Sequence, residues 1–243
     1  MFDYIKVENM KLKRTFAKKL IFIAPIVTLF ITGLAPMWYQ VNGFNWWYML
    51  MLPGCIPLFC VLVNNKEEKK LNYRGVFPLP ISLKKLWKAK IFLVTIYVFF
   101  SCFILLCGIA VGYLWVPSSH LISLFKGVAA MILIVITTLW QIPLCLFLAK
   151  KMGVFSALLI NCGVGIVLSV IMANGSLWWL CPYSWTARLM CPVLGILPNG
   201  LLAEKGSTLL NSNVIFVGVV LSIILFILLL LLTVQWFQKQ EVA

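Results

Sequence analysis

Hydrophobic and polar positions alternate along this chain in long blocks. Six apolar runs, at residues 20–38, 46–63, 91–115, 127–149, 154–173 and 214–237, can each cross roughly 30 Å of hydrocarbon, which takes about 20 helical residues. The pattern predicts an all-α integral membrane protein with six transmembrane helices. Ahead of them, residues 1–19 carry Phe2, Ile5, Leu12 and Phe16 on one face at about 100° per residue, with Lys6 and Lys13 flanking it and Arg14 and Lys18 opposite. Such a segment predicts an N-terminal amphipathic helix lying flat on the inner leaflet. No small-x-small cleavage pattern follows the run from Leu20, so the first span is read as uncleaved.

The polar blocks differ in kind. Residues 64–90 form the one long polar segment between two strongly apolar ones, with eight Lys/Arg against Glu67 and Glu68. In its middle, residues 76–81 (VFPLPI) make an apolar knot, which either rests among the lipid headgroups or docks a cytoplasmic partner. Just beyond, Ser82 is placed to cap a helix, with Ile81 stapled against Leu86, and Leu83, Leu86 and Trp87 then share a face leading into the third span. Residues 174–213 form the long loop on the other side; with Trp178, Trp179, Tyr183, Trp185 and two Cys-Pro pairs, it predicts short interfacial or re-entrant helices. In the second span, Pro53 and Pro57 remove backbone donors and predict a departure from a straight rod.

Charge orients the spans. Of the 20 Lys and Arg, 17 fall on the side of the N-terminus, the 64–90 loop, Lys150, Lys151 and Lys239; only Lys126, Arg188 and Lys205 fall on the other. The positive-inside bias therefore places both termini in the cytoplasm. The chain is 63% hydrophobic and 11% charged, which leaves no segment for a water-soluble domain, and residues 1–243 read as one transmembrane domain. The net charge of +14 lies beside apolar spans, where it contacts anionic lipid and not nucleic acid. The cysteines show no CxxC pair with metal-ligand spacing, and whether Cys181 and Cys191 join is open.

Candidate chemistry is sparse. No Asp, Glu, Lys, Arg or His lies within the six span cores, where ion-coupled carriers usually place them. There is no G-x-x-x-x-G-K-[ST] loop to cradle phosphates, so uphill transport needs energy from another chain. An enzyme reading rests on Glu67-Glu68, similar to the paired glutamates of CAAX-type membrane proteases. That motif wants Arg four residues after the second Glu, whereas position 72 is Asn and His120 lies in an external loop, so the acid/base partners do not assemble. Seven of ten Trp map to the outer boundary. Aromatic belts occur at both interfaces; the outward excess, above all Trp178, Trp179 and Trp185, also suits contact with an amphipathic peptide at the outer leaflet.

With these features the chain resembles the permeases of type-2 ABC exporters. More narrowly, MFDYIKVENMKLKRTFAKKL at its start, NWWYMLMLPG at 45–54 and LVNNKEEKKLNYRGVFPLPISLKKLWKAKI at 62–91 resemble the E-type permease subunits of lantibiotic self-immunity transporters of the mutacin/epidermin kind. The resemblance implies a subunit of the bacterial cytoplasmic membrane that pairs with a second, related permease. Two copies of a cytoplasmic ABC ATPase using ATP-Mg would drive the pair, which expels the producer's own lantibiotic. It also implies that Tyr73, Arg74, Gly75, Val76, Phe77, Pro78 and Leu79 couple to that ATPase, with no cofactor bound by this chain. The alternatives are a type-2 permease exporting a different drug or lipid, and a membrane sensor that binds a peptide without moving it.

Overall fold

The computed structural model describes residues 1–71, 82–114, 121–204 and 206–240, and these contain ten α-helices and no strand. They are α1 (Phe2–Lys11), α2 (Phe16–Gly33), α3 (Tyr39–Trp46), α4 (Leu52–Leu71), α5 (Leu83–Val111), α6 (Leu124–Thr138), α7 (Gln141–Leu158), α8 (Gly165–Ala173), α9 (Ser184–Leu194) and α10 (Asn213–Gln238). A π-helical turn, Trp47–Met51, joins α3 to α4, and another, Leu159–Val164, joins α7 to α8. Trp47, Ile56, Phe59, Leu105 and Ile142 are fully buried between helices, while Phe30, Phe99, Phe103 and Phe216 point outward. An apolar exterior around an apolar interior is what a bilayer requires of a helical bundle.

Five apolar helical stretches are long enough to span, Phe16–Gly33, Pro36–Asn64, Leu83–Val111, Gln141–Ala173 and Asn213–Gln238; Leu124–Thr138 is shorter. Gln141–Ala173 is not one rod. At Gly153, φ is 84° and ψ is −177°, a conformation natural to glycine alone. The side chains of Asn161 and Gln141 lie within 3.0 Å of each other, although twenty residues of continuous helix would hold them about 30 Å apart. The chain therefore reverses at Gly153, and the fifth crossing returns beside the fourth. The fourth begins in α6, too short alone at about 22 Å, and continues through Leu139 and Trp140 into α7. Its interruption has a cause: Pro143 has no N–H for the Leu139 carbonyl, which accepts from Ile142 N–H at 3.1 Å instead. Six crossings result, as the apolar runs predict.

Prolines inside two other spans expose carbonyls that neighbouring helices satisfy. Pro57 cannot donate to the Pro53 carbonyl one turn back, and Asn161 Nδ2 donates there at 2.8 Å. Pro25 likewise frees the Ile21 carbonyl, which accepts from Ser101 Oγ at 3.2 Å. Pairs of this kind replace a bond within a helix by one between helices, as spans with internal proline must.

The N-terminal segment departs from expectation in one respect. The helix stops at Lys11, Arg14 turns the chain with φ of 67°, and Phe16 already belongs to α2. Of the predicted apolar face, Leu12 is buried and Ile5 half-buried, but Phe2 is 83% exposed. The helix is rotated because α1 packs against α5 through polar groups on its inner side, Glu8, Asn9 and Tyr4.

Candidate functional site

One face of the bundle gathers the N-terminal helix, the end of α4, the start of α5 and the end of α10. Ser82 caps α5 as its sequence predicts, accepting from Lys85 N–H at 3.4 Å, while its own N–H donates to Tyr4 OH at 3.2 Å. Two turns on, Lys90 is fully buried. Its Nζ donates to the Val63 carbonyl at 3.3 Å and lies 3.7 Å from Glu8 Oε2. Glu8, also buried, pairs through its other oxygen with Lys11. Tyr97 OH donates to Asn9 Oδ1 at 2.9 Å, and Asn64 Nδ2 donates to the Leu146 carbonyl at 3.1 Å. Buried charge is tolerated only when paired and hydrogen-bonded. This joint meets the condition and thereby locks α1, α4 and α5 in one register.

Aromatic packing closes the same face. Trp87 stacks on Phe237 at 4.4 Å and meets Trp236 edge-on, and the Lys150 ammonium sits 4.3 Å from the Phe237 ring centroid. Leu86 and Trp87 are both buried, as the shared face beyond Ser82 predicts. The segment between α4 and α5 holds the predicted coupling residues Tyr73, Arg74, Gly75, Val76, Phe77, Pro78 and Leu79, together with Ile81; these lie outside the described residues. What the structure does place is the pair of anchors from which the segment springs.

The opposite face is organised by α9, a helix buried along nearly its whole length. It packs on α6, α8 and α10: Thr186 Oγ1 and Thr137 Oγ1 are 2.9 Å apart, and the side chains of Tyr183 and Leu189 occupy the space left by Gly165 and Gly218. Small residues let helices approach this closely within a membrane. Since Thr137 and Gly165 lie well inside their spans, α9 is re-entrant, one of the two forms predicted for 174–213. The three tryptophans part company here. Trp178 lies against the Arg188 guanidinium at 5.9 Å, and Trp185 meets Trp140 at 6.4 Å; both are buried. Only Trp179 is open, at 46%, and Trp185 Nε1 donates to its backbone carbonyl at 3.1 Å. Arg188, counted by sequence as an external loop charge, is buried and donates to the Leu209 carbonyl. Cys181 and Cys191 are free thiols.

Between the two faces, the π turns border a cavity of about 10 Å³, the room of one water molecule. Among its lining residues, Tyr48, Asn161 and Tyr183 each carry a buried oxygen without a protein partner among the described residues. π turns recur at functional sites because they break helical register. Sequence reading passes over this cluster, and over Lys90 with Glu8. The available signals were an Asn within the fifth apolar run and a lysine flanked by Ala89 and Ile91.

Residues 4–170 match the family of ABC-2 family transporter proteins, a stretch from α1 through most of the fifth crossing. No curated protein and no solved structure matches the chain. The match takes in the joint of α1, α4 and α5 and most of the six-helix layout, and on it the chain belongs to the ABC-2 family of transporter proteins, membrane permeases that work with an ATPase subunit.

Proposed function

We propose that this chain is a permease subunit of a heteromeric ABC exporter that expels a lantibiotic from the bacterial cytoplasmic membrane and so protects the cell that makes it. The observation that carries the transport half of this reading is the joint at the base of α5. A 29-residue helix, capped by Ser82 and beginning at Leu83 just beyond the proposed coupling segment, is clamped to α1 and α4 by Lys90 and to α10 by Trp87. A displacement delivered at Phe77 by an ATPase would reach the far side of the membrane through that one helix. The face bearing Lys90 and Lys150 is then cytoplasmic, in keeping with the 17 to 3 division of basic residues. The substrate class rests on the similarity of residues 1–20, 45–54 and 62–91 to lantibiotic immunity permeases. Trp179 is the residue of the outer face proposed to meet the peptide, with Trp178 and Trp185 holding its loop in place. ATP-Mg is used by the partner ATPase, and a second related permease completes the pathway.

The test is co-expression of the chain with an ABC ATPase and a second ABC-2 permease from the same cell, purification of the complex and measurement of ATP turnover. The expected result is turnover stimulated by a lantibiotic and absent from the chain alone. A complex that forms but responds equally to unrelated peptides removes the lantibiotic reading. Failure of any ATPase to co-purify removes the exporter reading.

A further inference from the structure

A concave surface borders the joint of α1 and α5, sharing Asn9 and Tyr97 with it, and faces away from Glu8 and Lys90. Helices α1, α2 and α5 enclose an apolar trough of about 640 Å³ that opens toward the bilayer. This is within the roughly 300–1,000 Å³ of ordinary ligand sites. Its floor includes buried Ile21 and Tyr97, and its walls are Phe22, Phe100 and Phe103, each at least half exposed. Along α5 the lining runs from Leu93 to Ile104, about 16 Å of helix rise. The trough is polar only at the end bounded by α1, where Lys6 and Lys18 line it. Glu8 pairs with both Lys11 and Lys90, but among the described residues neither Lys6 nor Lys18 forms an ion pair. The acids of α1, Asp3 and Glu8, lie off the lining.

We propose that this trough is a binding site for one anionic phospholipid, with an acyl chain along α5 and the phosphate between Lys6 and Lys18. The charge arrangement selects this occupant. An apolar channel with two cations that no acid pairs among the described residues, at the level of the N-terminal helix, complements a molecule with a long hydrocarbon part and an anionic head. A bilayer supplies that molecule beside the site, and basic groups near an anionic leaflet attract its headgroups. A zwitterionic lipid would fill the trough without using the lysines. The bound lipid would brace α1 against α2 and α5 from the side opposite Glu8. The inference is independent of what the transporter exports.

Native mass spectrometry of the full chain, released from nanodiscs containing equal phosphatidylglycerol and phosphatidylcholine, tests it. One phosphatidylglycerol is expected to survive delipidation at least tenfold more often than phosphatidylcholine. Lys6→Gln with Lys18→Gln should abolish that preference, while Lys13→Gln with Lys19→Gln, which removes equal charge outside the trough, should preserve it. The wild-type comparison needs no variant and stands even if the double variant inserts poorly. Equal retention of the two lipids shows annular contact only and overturns the proposal, as does equal loss in both double variants. A Cys placed at Phe22 that forms disulfide-linked dimers in membranes would assign the trough to a second copy of the chain instead.

Discussion

Asn161→Ala tests the proline argument at the centre of the bundle. The side chain is fully buried, and its amide donates to the Pro53 carbonyl at 2.8 Å and to Gln141 Oε1 at 3.0 Å. An average interhelical hydrogen bond in a bilayer is worth only about 0.6 kcal/mol, because separated helices find other partners. Truncation here does more, since it strands two buried acceptors, each costing about 1–3 kcal/mol. The Gln141 amide can rotate to recover part of this, so a loss of about 2–4 kcal/mol is expected. The diagnostic background is Pro57→Ala. It restores an N–H at position 57, which can close the ordinary helical bond to the Pro53 carbonyl. Asn161→Ala should therefore cost about 1 kcal/mol less beside Pro57→Ala than alone. Reversible unfolding of the four proteins in mixed micelles, followed by tryptophan emission, gives the coupling energy. Costs that add within about 0.5 kcal/mol, the scatter of independent sites, would show that Asn161 does not supply the bond Pro57 removes.

Other expectations follow from the same contacts. Glu8→Gln and Lys90→Met should each destabilise by about 1–3 kcal/mol, since each removes one of the partners of a buried charge while Lys11 still meets Glu8 and the Val63 carbonyl still meets Lys90, and the double change should cost less than their sum; additivity in the same unfolding assay refutes the ion pair. Gly153→Ala meets no steric obstacle but forces an L residue to φ of 84°, so a loss of about 1–3 kcal/mol is expected from melting curves. Phe77→Ala should leave membrane abundance intact and weaken ATPase association roughly thirtyfold in pull-down titrations, the effect of losing an aromatic anchor worth about 2 kcal/mol. Lys85→Ala should leave that association unchanged. Trp179→Leu should lower peptide tolerance with normal abundance, whereas Trp185→Leu should lower abundance itself, which quantitative immunoblotting separates.

The spans were legible because run length against bilayer thickness is a coarse, robust quantity. The break at Gly153 was legible as well, since Lys150 and Lys151 interrupt the apolar pattern there. Ser82 announced its helix because a cap is local chemistry. Rotation about a helix axis was not legible: periodicity sets Glu8 at the edge of the predicted apolar face, and one of the two lysines that make its burial tolerable lies 82 residues away. The same limit applies to Trp178 and Trp185, because a tryptophan in a belt and one under a re-entrant helix look alike in composition. The burial of Arg188 was illegible for a related reason, one of its partners being a backbone carbonyl that no side-chain pattern records.

The contacts of α1 have a consequence for biogenesis. Tyr4, Glu8 and Asn9 find their partners at Ser82, Lys90 and Tyr97, the last of these separated by 88 residues. At roughly 5–20 residues per second of synthesis, α1 waits about 4–18 s between emerging and docking. Throughout that interval two spans must thread and the third must begin, while Glu8 has only local partners such as Lys11, one turn away. A helix made early is thus fixed late, and its accessibility reports whether the third span has been inserted. A membrane protease that grips a loose α1 would remove chains stalled before residue 90 and spare those that have passed it.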